Sequence, residues 1–167
     1  MSEPSRPKRA PRTTYERALD MLEARARGVD ELKRLLLRKG EPAADVDAAL
    51  ERLAQAGLID DAHYARQLAR TKALGAGMSR RRIQQELTRR GVARDVSSRA
   101  IADVFDEEGV DEAAAMERVA RKKLRTLATL DSATQRRRLY AFLARRGYDS
   151  DDIANMLERI LDGDSAH

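Results

Sequence analysis

An all-α fold, laid out as an elongated tandem array of three three-helix repeats, is what the sequence predicts. Three observations predict it. Arg, Ala, Leu, Glu and Lys make up more than half of the 167 residues, whereas Val, Ile and Thr together number 19, too few for a sheet protein of this size. Apolar residues recur at helical spacing rather than in alternation. Three glycines, Gly40, Gly91 and Gly147, stand in one shared frame of apolar and basic neighbours.

The elements follow in order. Residues 1–14 hold three of the four prolines, and Arg6, Lys8, Arg9 and Arg12 against Glu3, with no apolar periodicity. A disordered basic tail is expected there, for solubility or for loose contact with phosphates or an acidic partner. Repeat 1 spans 15–57. Its first helix carries Ala18, Leu19 and Leu22 and ends near Gly28. Asp30 can cap a second helix bearing Leu32, Leu35 and Leu36, and Pro42 suits the start of a third with Val46, Leu50 and Leu53.

Repeat 2 spans 58–109. Asp60 or Asp61 can cap a helix with Tyr64, Ala65, Leu68 and Ala69, which Gly75 and Gly77 interrupt. Asp60, Asp61 and Tyr64 read as cap, cap and core, structural residues that position the second repeat. Ser79 caps the next helix, with Ile83 and Leu87 inward, and Asp95 opens the last, with Val96, Ala100, Ile101 and Val104 inward. Repeat 3 spans 110–161. A helix over 110–127 is followed by a turn at Asp131-Ser132, then by a helix with Leu139, Phe142 and Leu143. Asp149 caps the final helix, with Ile153, Met156, Leu157, Ile160 and Leu161. Residues 162–167 form a short polar tail.

Superposing the three glycines exposes the repeat. Eight residues before each stand Leu32, Ile83 and Leu139, and four before stand Leu36, Leu87 and Leu143. Ten after stand Leu50, Ile101 and Leu157, and thirteen after stand Leu53, Val104 and Ile160. These are helical spacings on either side of a glycine C-cap, so Gly40, Gly91 and Gly147 are read as structural. A unit of this size with so few aromatics is near the lower limit for independent stability, so neighbouring units should share apolar faces.

Composition excludes several function classes. The chain has no Cys, hence no disulfide scaffold and no thiolate metal site. Of its two His, His167 is terminal and His63 sits alone, so neither a catalytic triad nor a His-based metal site is expected. Gly75-Ala76-Gly77 lacks the Lys-Ser/Thr pair of a phosphate loop, and Asp149, Asp151 and Asp152 lack the Gly and Glu of a calcium loop. No enzyme activity, cofactor or metal is expected. No apolar run reaches the length of a membrane span, and no signal-peptide pattern opens the chain. A cytoplasmic monomer is expected.

Arginine carries the functional signal. The net charge is +5, with Arg far outnumbering Lys. Arg80, Arg81 and Arg82 precede Gly91 at the offsets at which Arg136, Arg137 and Arg138 precede Gly147. The pairs Arg89-Arg90 and Arg145-Arg146 directly precede the same glycines, and Arg94, Lys122 and Lys123 extend the positive surface. Some of these charges are solvated helix faces or dipole partners. The two trios are read as lying near helix N-termini, where the dipole disfavours cations, so they are read as docking groups. Planar guanidinium forks suit carboxylates and phosphates. Acidic residues are equally blocked, with Asp103, Asp106, Glu107, Glu108, Asp111, Glu112 and Glu117 in one run. Stacking aromatics are scarce, so a protein partner that itself holds DNA fits better than DNA alone. The alternative is a direct DNA-binding helical module with helix 79–90 as recognition helix.

The stretch Leu58-Ile59-Asp60-Asp61, Tyr64-Ala65, then Arg82-Ile83, Glu86-Leu87 and Arg90-Gly91-Val92 resembles the RecX family of bacterial recombinase regulators. So does the opening Tyr15, Ala18-Leu19, Leu22 and Arg25, followed by Glu31-Leu32, Leu36 and Lys39-Gly40. The resemblance covers roughly 15–161. It implies tandem three-helix units without catalytic activity. It further implies binding to RecA in the groove of the RecA–DNA filament. There such proteins inhibit ATPase, strand exchange and co-protease activity, damping recombination and the SOS response. Weak, non-specific DNA contact is compatible with that role.

Overall fold

The computed structural model describes residues 11–162, and among them every regular element is helical. Helices α1 (Thr14–Ala24), α2 (Val29–Arg38) and α3 (Ala43–Gln55) form repeat 1. Helices α4 (Asp61–Arg70), α5 (Arg80–Arg89) and α6 (Arg94–Glu107) form repeat 2, with a π-helical turn, Thr71–Gly75, extending α4. Helices α7 (Glu112–Arg125), α8 (Ser132–Arg145) and α9 (Ser150–Asp162) form repeat 3. The chain divides into two compact units between Asp60 and Asp61, so repeat 1 stands as one unit and repeats 2 and 3 together as the other.

The apolar frame read from the sequence is the core. All twelve residues at the four shared offsets are buried, Leu50 being the most exposed at 7%. In the first unit Leu32 and Leu36 of α2 meet Val46, Leu50 and Leu53 of α3 around Ala18. In the second, Ile83 and Leu87 pack with Ala65, Ala69, Ile101 and Phe105, and Leu139 and Leu143 pack with Ile153, Met156, Leu157 and Ile160.

The glycines close the middle helices as expected. Gly40, Gly91 and Gly147 have φ of 86°, 79° and 87°, a region that L side chains enter only with strain. The amide after each reaches back over a full turn, Glu41 N to Leu36 O, Val92 N to Leu87 O and Tyr148 N to Leu143 O. That is the Schellman closure, which satisfies the last carbonyls of each helix.

Three helix starts differ from the sequence reading. α1 begins at Thr14, with Thr13 as its cap in a reciprocal capping box with Glu16, and Thr14 is buried. The fold therefore takes in the end of the stretch read as tail; residues 1–10 of that tail, and 163–167 at the other end, lie outside the described residues. α2 is capped by Gly28 without a side-chain bond, which leaves Asp30 in its first turn as a dipole partner. α8 starts at Ser132, capped by Asp131 accepting from Thr134 N. Arg136, Arg137 and Arg138 therefore lie in the second turn of α8, not at its N-terminus.

Candidate functional site

The two arginine trios do different things, and the difference begins with helix length. α5 starts eleven residues before Gly91, whereas α8 starts fifteen residues before Gly147 and so carries an extra N-terminal turn. Arg80, Arg81 and Arg82 are thus the first three residues of α5, behind the cap Ser79, whose Oγ accepts from Arg82 N at 3.2 Å.

That N-terminus meets the end of α8. Ser79 N donates to Arg146 O at 3.0 Å. Arg81 donates through Nε to Gly147 O at 3.2 Å and through Nη2 to Tyr148 O at 3.3 Å. Arg146 Nε returns a bond to Ala76 O at 2.9 Å, and the buried Tyr148 hydroxyl donates to Gly77 O at 2.9 Å. Arg80 bonds Glu112 through its backbone N at 2.9 Å, places Nε 3.5 Å from the same carboxylate, and holds its guanidinium 4.2 Å above the Phe105 ring. Arg82 packs its backbone and Cβ against Gly147, and its Nε is buried without a hydrogen-bond partner among the described residues. Cations at a helix N-terminus face an unfavourable dipole. Here the carbonyl end of α8 and the Glu112 carboxylate supply the compensating negative charge. The trio is a joint between repeats 2 and 3, although Arg81 remains exposed at the rim.

Burial at this joint shifts two groups. It pushes the Tyr148 phenol up to about 12, with Glu112 adding to the rise. It also lowers the Arg146 guanidinium from its ordinary value. Arg146 lies 3.6 Å over the Phe142 ring, and Lys123 approaches the same ring at 5.8 Å. The Phe142 face holds both cations by its quadrupole.

The second trio is differently placed. Arg137 and Arg138 are exposed and make no ion pair among the described residues, while Arg136 is half-buried beside a groove between α7, α8 and α9. Arg145, Lys122, Arg89 and Arg94 are likewise exposed. Arg118, Lys122 and Arg125 share one face of α7 at helical spacing. Arg90 is half-buried, donating to the Tyr64 hydroxyl at 2.9 Å and to Glu86 at 3.3 Å. Tyr64 itself packs partly buried against the repeat 2 core. Asp60 directly precedes α4, and Asp61 is its first residue.

Most carboxylates of the acidic run are engaged within the fold. Arg66 bonds Asp103 at 2.9 Å and Glu107 at 2.8 Å, and Arg70 pairs with Glu108 at 2.5 Å. Glu112 is taken by Arg80, Glu117 pairs with Arg121 at 2.8 Å, and Asp111 caps α7. The physical reason is the packing of α6 along α4, which lays one carboxylate row against two arginines. His63 is exposed, and among the described residues no cluster of His, Cys, Asp and Glu could hold a metal ion. Among the same residues no helix is long and apolar enough to cross a membrane.

The joint residues Ala76, Gly77, Glu112 and Tyr148 escaped the sequence reading. One signal was present. The residue after the repeat glycine is Glu41, then Val92, then Tyr148, and the odd member of that series is the one that reaches across to the neighbouring repeat.

Comparison with known proteins agrees with this architecture domain by domain. The first, second and third three-helix domains of RecX match residues 15–53, 60–101 and 111–157. A protein of Mycobacterium avium (strain 104), named Regulatory protein RecX, is 42% identical over 149 residues, covering 88% of this chain and 82% of its own. One of the same name from Amycolatopsis mediterranei (strain U-32) is 36% identical over 142 residues, covering 83% of this chain and 79% of its own. The crystal structure of RecX from Lactobacillus salivarius shares the fold, with a TM-score of 0.66 at 19% identity over 89% of this chain and 94% of that one.

Proposed function

The chain belongs to the RecX family of regulatory proteins, which are not enzymes, and from that premise we propose that it regulates RecA. It binds RecA, as monomer or as filament on single-stranded DNA, and occupies the filament groove. There it inhibits ATPase, strand exchange and co-protease activity, and so restrains DNA repair by recombination and the SOS response. It acts as a cytoplasmic monomer and touches DNA only weakly and without sequence preference.

The observation that carries this reading is the exposed cationic surface of the second unit. Arg118, Lys122, Arg125, Arg137, Arg138 and Arg145 are exposed and form no ion pair among the described residues. Phe142 is half-buried beneath Arg146, which leaves Tyr140 as the one exposed ring of α8 for base stacking. Such a surface docks by charge-assisted contacts to carboxylates or phosphates. A recognition helix fits less well. The first turn of α5 is packed under the Gly147 turn, whereas groove-reading helices present that turn to base edges. The test is RecA ATPase on single-stranded DNA with the purified chain added at stoichiometric amounts. Inhibition supports the proposal, and unchanged turnover removes it.

A further inference from the structure

Repeats 1 and 2 differ at one matched seam, where the first helix meets the middle helix. In repeat 2, Lys72 stands nineteen residues and Glu86 five residues before Gly91, and the two form an ion pair at 3.3 Å. Arg90, directly before that glycine, donates to the same carboxylate and to the Tyr64 hydroxyl. The matching offsets before Gly40 hold Met21, Leu35 and Lys39. Repeat 1 thus places an apolar pair where repeat 2 places opposite charges, and Lys39 is exposed with no ion pair among the described residues.

Met21 and Leu35 line a groove of about 360 Å³ between α1 and α2. Both are half-buried, and the exposed Ala24 continues the apolar floor along α1. Cations bound the groove at both ends. Arg17, which also holds Glu41, stands with Lys39 at one end. Arg27 stands at the other, donating from Nε to Met21 O at 3.1 Å and from Nη1 to Glu31 at 2.8 Å. The acid of the lining, Asp20, is held by Arg12. Arg34 and Arg38, one turn apart on the flank of α2 beside Leu35, are exposed and make no ion pair among the described residues. An apolar floor within a cationic rim is complementary to an apolar side chain flanked by carboxylates. We propose that this groove seats an acidic amphipathic segment of a protein partner, with an apolar side chain on Met21 and Leu35 and carboxylates on Lys39 and Arg38. A methionine wall adapts to the shape of such a side chain, and no aromatic ring lines the groove to stack a base. The inference rests on the proposed action on RecA and adds the part that repeat 1 plays in it.

The chain has no Cys, so full-length Ala24→Cys takes a single benzophenone label at the groove. Ala48→Cys takes one on the exposed side of α3 as the reference position. Each labelled chain is irradiated with RecA filaments on single-stranded DNA and the adducts are mapped by mass spectrometry. The label at position 24 should either give an adduct on an acidic segment of RecA that position 48 does not give, or block an inhibition that the label at 48 leaves intact. Met21→Lys with Leu35→Glu installs in repeat 1 the ion pair that repeat 2 already carries at the same offsets. That variant, and separately Arg38→Glu with Lys39→Glu, should raise the concentration for half-inhibition of the RecA ATPase about tenfold, with circular dichroism and the urea midpoint near those of the native chain. The proposal is overturned if the adduct from position 24 lies on DNA, on the chain's own N-terminal tail or on a second copy, or if both positions label RecA alike. It is equally overturned by no adduct from a chain labelled at 24 that still inhibits, or by either double variant inhibiting as the native chain does. If the native chain neither binds filaments nor slows the ATPase, the regulatory reading fails and this inference falls with it.

Discussion

Arg80–Arg82 and Arg136–Arg138 occupy the same repeat offsets and read identically in the sequence, yet one trio is a joint and the other a helix surface. Arg80 and Arg81 spend their donors on Glu112 and on the Gly147 and Tyr148 carbonyls. Arg137 and Arg138 point outward from the second turn of α8 with no ion-pair partner among the described residues. A charge is therefore not a docking group by virtue of its offset. Its role depends on whether a neighbouring repeat arrives to use it, and repeat 3 arrives on repeat 2.

The largest test of this contrast lies at the glycines. A Cβ at Gly147 would come within 2.5 Å of Arg82 Cβ and of Ser79 Oγ, and 3.1 Å from Arg82 N, whereas one at Gly40 would meet nothing within 4 Å. Both substitutions incur left-handed strain, and only Gly147→Ala also overpacks a joint. In urea unfolding Gly147→Ala should lose about 3 kcal/mol or more and Gly40→Ala about 1–2 kcal/mol. Equal losses would mean that the joint yields freely.

Next in size is the functional half of the comparison. The double change Arg137→Glu and Arg138→Glu should weaken inhibition of the RecA ATPase about tenfold, a 1.4 kcal/mol effect, with stability held within about 0.5 kcal/mol. Arg81→Ala should do the reverse, costing about 1 kcal/mol of stability as two carbonyl contacts are lost and changing inhibition less. If both variants affect inhibition alike, the trios share one role and the contrast drawn here is wrong.

The smallest effect is a pH slope. The Tyr148 phenol titrates near pH 10 in an unfolded chain and is raised to about 12 in the fold. The folded state therefore holds a proton that the unfolded state releases, so the contribution is complete below pH 10 and is lost as pH rises through about 12. Urea midpoints measured from pH 9 upward should fall in the native chain. Tyr148→Phe should flatten that component of the fall and, by removing the hydroxyl bond to Gly77 O, should cost about 1 kcal/mol at neutral pH.

Much of the architecture was legible in the residues. The offsets around Gly40, Gly91 and Gly147 named twelve core positions, and all twelve are buried. Helix burial and C-capping are local consequences of spacing, since a side chain four residues away lies on the same face whatever else the chain does. Helix starts were less legible. The Thr13–Glu16 capping box lay within a stretch whose composition signalled a tail, and the extra turn of α8 was hidden by an alignment made on its C-terminal glycine. The candidate site was half legible. Position and sign of the charges were plain, but not which of them the fold would use, because Arg66, Arg70 and Arg80 find their acids 32 to 41 residues away.

By itself the sequence determined the helices, their apolar faces, their glycine stops and the threefold recurrence, because each of these is settled within a few turns of chain. Only the tertiary structure decided that the end of α8 would lie across the start of α5. That contact joins carbonyls, guanidinium groups and a phenol from residues up to 71 positions apart. Its energy depends on distance and burial, and neither exists until the repeats have packed.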